Sequence, residues 1–538
     1  MANPALVGEE YNGPTDQLTP RQQELEWMWR FYRCTNYTGR RVSWDGGQEV
    51  GRSEYDAFLA QGPVVPPGFY DAGHGTPLKF RKPTAPYHLG KVIVNRFTSL
   101  LFGKKRSPKI VSDDPVTEDW LQGVVEATHL WSTMIRVRTF GGAMGSVGLS
   151  FRFKGGAPVV EVHDPRYCEP TFEDVATGEV RQLEKRFQFP EMVRDADGGV
   201  SEEWFWYRRV ITRETDTVWP KVRATDEEPD WACERYQERE HGFGFCPVVW
   251  IQNQPVTDDI DGDPDCHGIF DLIEAIDTLY AQAHRGTIAN CDPTLWVSSD
   301  AEFDELEKGS GKAIQTEKGG AVHYLEMTGG GVDRAINLAE KLEQKALTVA
   351  RCMLDRNEGG PSRTAEEVEH NYSSMIEQAD IYREQYGEHG VQRLLEMVLR
   401  AARQLATPRR AENAQGLPYI GKSLVKLPKR RVVTRGKVSW IERQVGSGER
   451  VELRWPDYFT PSQETVIKAV AAAGQAKQLG LVDAKNATEH VAPYFQIEDV
   501  DGVVKRAKEE QQQQEQPGGD VDATGVGAMR TARYASAV

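Results

Sequence analysis

The run Gly268–Leu405 constrains this chain more than any other. Gly268–Asn290 places Ile269, Leu272, Ile273, Ile276, Leu279, Tyr280 and Ala283 on one stripe at three/four spacing, which predicts an amphipathic helix. The insert Cys291–Gly331 switches to two strand-like pieces, Thr294–Val297 and Ala321–Leu325, separated by Gly and charge. A second helix, Val332–Leu354, repeats the stripe at Ile336, Ala339, Leu342, Ala346, Val349 and Met353. A loop follows, with Arg356, Asn357, Glu358, Gly359, Gly360, Pro361 and Ser362. Thr364 and Glu367 then form a capping box for a long helix running to Leu405. The apolar positions of that helix run Val368, Tyr372, Met375, Ala379, Tyr382, Tyr386, then shift phase to Val391, Leu394, Leu395, Val398. Gly387 and Gly390 mark the shift and predict a kink. One-stripe helices carrying a small insert suit a subunit whose neighbours cover its faces better than a lone globule.

At 538 residues the chain exceeds the size at which one core stops growing, so several lobes are expected. The 13 Trp and 39% hydrophobic content suffice for real cores. A net charge of −16 argues against a DNA wrapper, because phosphate affinity comes from clustered Lys and Arg. It allows contact with a duplex that does not stick. The seven Cys are odd in number and lack CxxC spacing, which favours reduced thiols in a cytoplasm. No apolar run approaches the ~18–20 residues that span a bilayer, and the N-terminus reads as no signal peptide.

Upstream, residues 1–20 read as a polar arm, Arg21–Tyr37 as a helix and 40–86 as an irregular Gly/Pro-rich stretch. Further helices are expected over Pro86–Leu101 and Thr117–Ile135, the latter capped by Thr117. From Gly145 the period becomes two. Strands at Val147–Phe153, Pro158–Val162, Tyr167–Phe172, Glu179–Phe189, Trp204–Thr212, Trp219–Val222 and Cys246–Asn253 predict an antiparallel meander. Strands return at Leu424–Val433, Val438–Arg443 and Val451–Trp455. Helices follow at Ser462–Leu479, Asp483–Val491 and Val500–Glu515, then a low-complexity tail expected to be disordered. The fold class is α+β.

Gly141-Gly-Ala-Met-Gly-Ser-Val-Gly148 has the glycines of a dinucleotide loop but the wrong order, since a helix precedes it and strands follow. It reads as a helix ending in Gly. Asp258, Asp259, Asp261, Asp263 and Asp265 crowd one loop, yet the sixth and twelfth positions from Asp259 are Pro264 and Phe270, so an EF-hand fails. Asp259, Asp261 and Asp263 are the weak metal candidates; the alternative is a solvated loop whose charge suits a helix N-terminus. Cys246, Cys266-His267 and Cys291 lack zinc spacing. No nucleophile triad or Walker loop is legible, so no catalytic residue and no cofactor are expected. Lys422, Lys426, Lys429, Arg430, Arg431, Arg435 and Lys437 form a basic stretch without an acid. It is either a solvated strand pair or a patch facing DNA or an acidic neighbour.

Over residues 85–505 the order of elements resembles the portal proteins, or head–tail connectors, of tailed double-stranded DNA bacteriophages. The likeness rests on a helix and Gly turn leading into strands around His163-Asp-Pro-Arg, on Cys246-Pro-Val-Val-Trp before the acidic loop, on the helix–insert–helix run, on the long helix, and on Pro461-Ser, Gly480-Leu-Val-Asp and Thr488-Glu-His near the end. The resemblance implies an arm (1–86), a mixed α/β wing (87–265), stem helices (266–290 and 332–354) around a clip (291–331), a tunnel loop (355–363), a long kinked wing helix (364–407), wing strands (408–458), crown helices (459–510) and a disordered tail (511–538). It implies a homo-oligomeric ring of twelve at one capsid vertex of the virion, assembled in the bacterial cytoplasm, that nucleates head assembly. The partners it implies are the terminase large subunit, major capsid and scaffolding proteins, head–tail adaptors, and DNA passing through without sequence preference during packaging and ejection. No membrane is involved and no catalysis is implied. Two other classes stay open: a capsid or scaffold-type structural protein without a channel, and a metal-dependent nuclease using Asp258–Asp265.

Overall fold

The computed structural model describes residues 18–35, 41–43, 49–51, 86–174, 177–194, 200–291, 294–298, 321–325, 330–354, 372–406, 427–458 and 463–507, apart from short breaks. The chain forms two compact units. One holds Met1–Gly359 with Asn371–Tyr458, the other Gly360–His370 with Phe459–Val538. The fold is α+β.

In the first unit, α1 (Pro20–Arg33) starts at a capping box of Thr19 and Gln22. β1 (Arg41–Ser43) and β2 (Glu49–Gly51) make a small hairpin. α2 (Leu89–Phe102) buries Leu89, Ile93, Val94, Phe97 and Leu101. Gly90 lets α2 press on α1, for a Cβ there would lie 2.7 Å from the Phe31 ring. After β3 (Lys109–Ser112), the single helix expected over Thr117–Ile135 is two, α3 (Pro115–Thr128) and α4 (Leu130–Met144). His129 between them adopts left-handed backbone, φ 48°, which no local residue preference announced. The cap is Asp114, not Thr117: its carboxylate accepts from the Val116 and Thr117 amides while Pro115 opens the helix.

The expected single meander is two sheets. β4 (Ser146–Lys154) lies between β5 (Ala157–His163) and β12 (Val248–Gln252). The other sheet orders β6 (Cys168–Asp174), β7 (Glu179–Arg194), β8 (Val200–Ile211), β9 (Thr215–Val218) and β11 (Gln237–Glu240), with β10 (Val222–Arg223) also on β8. The break comes at Asp164, whose carboxylate caps the 3-10 turn Pro165–Tyr167 and redirects the chain. Cys168, Leu183, Ile211, Val248 and Trp250 fill one core.

α5 (Phe270–Cys291) leads to β13 (Thr294–Ser298), which pairs antiparallel with β14 (Ala321–Leu325), and α6 (Gly330–Val349) returns. α6 stops five residues short of the expected Leu354, where Arg351 turns left-handed. The described part of the long helix is α7 (Ser373–Arg383), a π-helical stretch Glu384–Gln392, and α8 (Arg393–Ala406), and its expected start at the Thr364–Glu367 capping box lies outside the described residues. The expected kink at Gly387 and Gly390 is this stretch. Its wider i→i+5 turn absorbs the five-residue step from buried Tyr386 to buried Val391, keeping both halves facing the core. β15 (Arg430–Thr434) and β16 (Lys437–Ile441) form a hairpin. β17 (Val451–Arg454) pairs instead with the distant β3. The second unit contains a packed helix pair, α9 (Gln463–Gln478) and α10 (Ala484–Phe495). The expected helix 500–515 and tail 511–538 fall largely or wholly outside the described residues.

One ion pair joins the parts of the first unit. Arg138 of α4 and Asp265 are both fully buried, with Arg138 NH2 3.0 Å from each Asp265 carboxylate oxygen. Tyr382 of α7 donates its hydroxyl hydrogen to Asp265 at 2.8 Å, and the Asn253 amide nitrogen donates to it at 3.0 Å. Tyr386 donates to the Asn253 carbonyl at 2.8 Å. The guanidinium also stacks 4.2 Å from the Tyr382 ring and 5.2 Å from that of Tyr386. Burial disfavours the Arg138 charge, but the adjacent Asp265 carboxylate outweighs that and raises its pKa. The Gly141-Gly142 pair is explained here, for a Cβ at Gly141 would collide with the Tyr386 hydroxyl and one at Gly142 with Arg138. Removing one partner of a buried pair strands the other charge, so Asp265→Ala should destabilise by about 3–5 kcal/mol. Asp263→Ala, whose His267 partner is exposed, should cost under about 1 kcal/mol. Chemical denaturation monitored by Trp fluorescence checks both.

Candidate functional site

α5 and α6 run antiparallel. Near one end Tyr87 bridges them, donating its backbone N–H to Asp277 at 2.6 Å and its hydroxyl to Glu343 at 3.2 Å. Near the other, a Cβ on Gly286 would meet Val332 at 2.7 Å. The β13–β14 hairpin joins the helices at that second end, with Trp296 stacked on its cross-strand partner His323 at 5.7 Å. The expected stripe packs through Ile269 just before α5, Ile273, Ile276 and Ala283 of α5, and Ala339 and Ala346 of α6. It does not account for every apolar side chain. Ile288 is 48% exposed, Leu338 49% and Val349 58%, so the pair leaves single apolar side chains uncovered along its length. Burial, then Asp271 and Asp277, push the Glu274 carboxyl on this pair up to about 7.

The sequence-derived candidates fall in three places. Arg356–Ser362 lie outside the described residues, as do Lys422, Lys426 and Arg435. Of the remaining basic residues, Lys429 reaches Glu442 at 3.2 Å and Arg430 reaches Asp119 at 3.5 Å, while Arg431 and Lys437 sit in β15 and β16. Part of the basic charge is therefore met by carboxylates of the same chain. Sequence reasoning missed that Trp440 and Ile441 on this hairpin are 63% and 52% exposed; the signal was their position beside the cations.

In the acidic loop, Asp261 is engaged by Arg21, with NH2 to Oδ1 at 3.0 Å, and by the Ser146 hydroxyl. Asp259 accepts from the Ile260 amide at 2.7 Å, and Asp263 lies 3.2 Å from His267. Among the described residues no group of three or more His, Cys, Asp or Glu is placed to hold a metal ion. A parallel network holds the turn after β5: Arg166 binds Asp164 and Glu26, each at 2.6 Å, and Glu26 also binds Arg30. No described helix is long and apolar enough to cross a membrane.

Ser150 Oγ lies 2.7 Å from His163 Nε2, the distance of a nucleophile and its base. Both side chains are buried between the sheets, so no substrate reaches them. Burial, reinforced by Lys185 and Arg209, holds the His163 pKa well below 6.5. The unfolded chain takes up a proton near pH 6.5 and the folded one does not, so stability is full above that pH and falls as pH drops below it. His163→Gln should therefore flatten the acid limb of a stability–pH curve by up to about one proton, or ~1.4 kcal/mol per pH unit. Denaturant midpoints between pH 7 and 5 measure this.

The family described as a domain of unknown function, DUF4055, matches residues 280–383. That family is found in phage proteins. The match spans the second half of α5, the β13–β14 insert, α6 and all of α7. No curated protein matches the chain.

Proposed function

We propose that this chain is the subunit of a phage portal: a ring-shaped channel at one capsid vertex through which the terminase motor packages DNA and from which DNA later leaves into the tail. The observation that carries this reading is the antiparallel α5–α6 pair with the β13–β14 hairpin at its end and apolar side chains uncovered along it. Such a pair is incomplete in a single copy. A head-to-tail ring covers one face of each copy with the next. The match over 280–383 to a family found in phage proteins supports the same reading.

In this account α5 and α6 are the stem, β13–β14 belong to the clip that meets the terminase and then the head–tail adaptors, and residues 355–363 are the tunnel loop. The chain itself catalyses nothing; the motor hydrolyses the ATP. With a net charge of −16 per copy, a ring is strongly acidic, and DNA slides past it instead of binding. The exposed β15–β16 hairpin, with its cations and Trp440, contacts packaged DNA or an acidic neighbour.

Leu338→Asp with Val349→Asp should abolish ring assembly, seen as a sedimentation shift from a large species to monomer. Both side chains are exposed in the single copy, so the monomer should still unfold cooperatively. Reversing charge at Lys429, Arg430 and Arg431 should lower phage titre through reduced packaging or assembly; wild-type titre would remove the hairpin from the account.

A further inference from the structure

A cavity of about 280 Å³ opens between the two sheets of the first unit, remote in sequence from the α5–α6 pair and unused by the portal reading. It is walled by Phe151 and Phe153 of β4, the Gly155-Gly156 turn, Phe243, and Arg239 of the edge strand β11. The wall is a continuous aromatic stack. His241 lies on Phe243 at 4.7 Å, and Phe243 on Phe151 at 5.4 Å, with interplanar angles of 29° and 22°. The stack is fixed from behind. His241 Nε2 lies 3.0 Å from the Thr212 carbonyl and must donate to it, which leaves Nδ1 to accept the Phe243 amide at 3.3 Å. The imidazole is thus held as one neutral tautomer, a flat ring and not a cation.

The charges around the cavity are sorted. Arg209 is saturated by Asp216, at 2.7 and 2.9 Å, and by Glu161 at 2.6 Å. Arg152 takes the other Glu161 oxygen at 2.6 Å, and its Nε is buried with no partner among the described residues. Arg239 has no carboxylate within ion-pair distance among the described residues and makes only a long 3.4 Å bond to the Phe153 carbonyl. Beside it stands the exposed Glu240. The glycines at the turn keep the mouth open, with nothing within 4 Å of a Cβ at Gly155.

We propose that this cavity is a binding site for a small planar aromatic group bearing one anionic substituent, the ring against Phe153 and the Phe151–Phe243 stack and the anion on Arg239. The volume suits a ligand near the lower end of the small-molecule range. An aromatic face with an unpaired guanidinium offers stacking and a charge-assisted hydrogen bond together. A phosphate and a carboxylate satisfy the same chemistry, and two probes separate them.

Calorimetric titration of the full chain with adenosine 5′-monophosphate and, separately, with indole-3-acetate tests the site. Saturable binding of at least one is expected, the tighter probe telling phosphate from carboxylate. Arg239→Ala and Phe153→Ala should each weaken it about tenfold or more. Glu240→Gln should tighten it, since it removes an anion beside Arg239, whereas Asp216, opposite Arg239 on β9, is already taken by Arg209. Arg239 is exposed on an edge strand, so its removal leaves the fold intact, as an unchanged thermal midpoint would verify. No saturable binding of either probe at millimolar concentration, or binding that Arg239→Ala and Phe153→Ala leave unchanged, overturns the proposal.

Discussion

The buried Arg138–Asp265 pair is the constraint on which the first unit depends. A guanidinium and a carboxylate removed from water are tolerated only when both are held close and further satisfied. Here the holders come from separate parts of the chain: α4 supplies Arg138, the loop before α5 supplies Asp265, the segment after β12 supplies Asn253, and the long helix supplies Tyr382 and Tyr386. Each loses a partner if another moves. The start of α5 is thereby fixed to the sheets and to the π-helical stretch. Gly141 and Gly142 make room for this centre, and Gly387 and Gly390 let the long helix approach Trp455 and Ile251.

A rigid centre of this kind frames an exposed periphery. The α5–α6 pair leaves it with Ile288, Leu338 and Val349 uncovered, and the β15–β16 hairpin carries Trp440 and Ile441 into solvent. In the portal proposal, these uncovered side chains are the ones that meet partners outside the single chain. The portal account assigns those partners to neighbouring copies, to DNA and to the packaging and tail machinery.

Local periodicity made part of this legible. Three/four spacing located α5 and α6, alternation located β13 and β14, and the phase change between Tyr386 and Val391 located the π-helical stretch to within a few residues. What was not legible depends on distant pairing. Arg138 and Asp265 stand 127 positions apart, and nothing near either announces the other. The acidic loop read as solvated surface or a metal candidate, whereas Asp265 anchors the core and Asp261 holds Arg21. His129 breaks a helix without Gly or Pro. β17 found β3 across most of the chain.

The portal account stands or falls on closure. Electron microscopy of the purified chain, with its mass from light scattering, tests it most directly. Twelve copies of a 60.4 kDa chain weigh about 725 kDa, and the account predicts a pierced ring near that mass with the α5–α6 pairs lining its waist. A chain that stays monomeric or dimeric at high concentration, and remains so with its capsid and scaffolding proteins co-expressed, would contradict it.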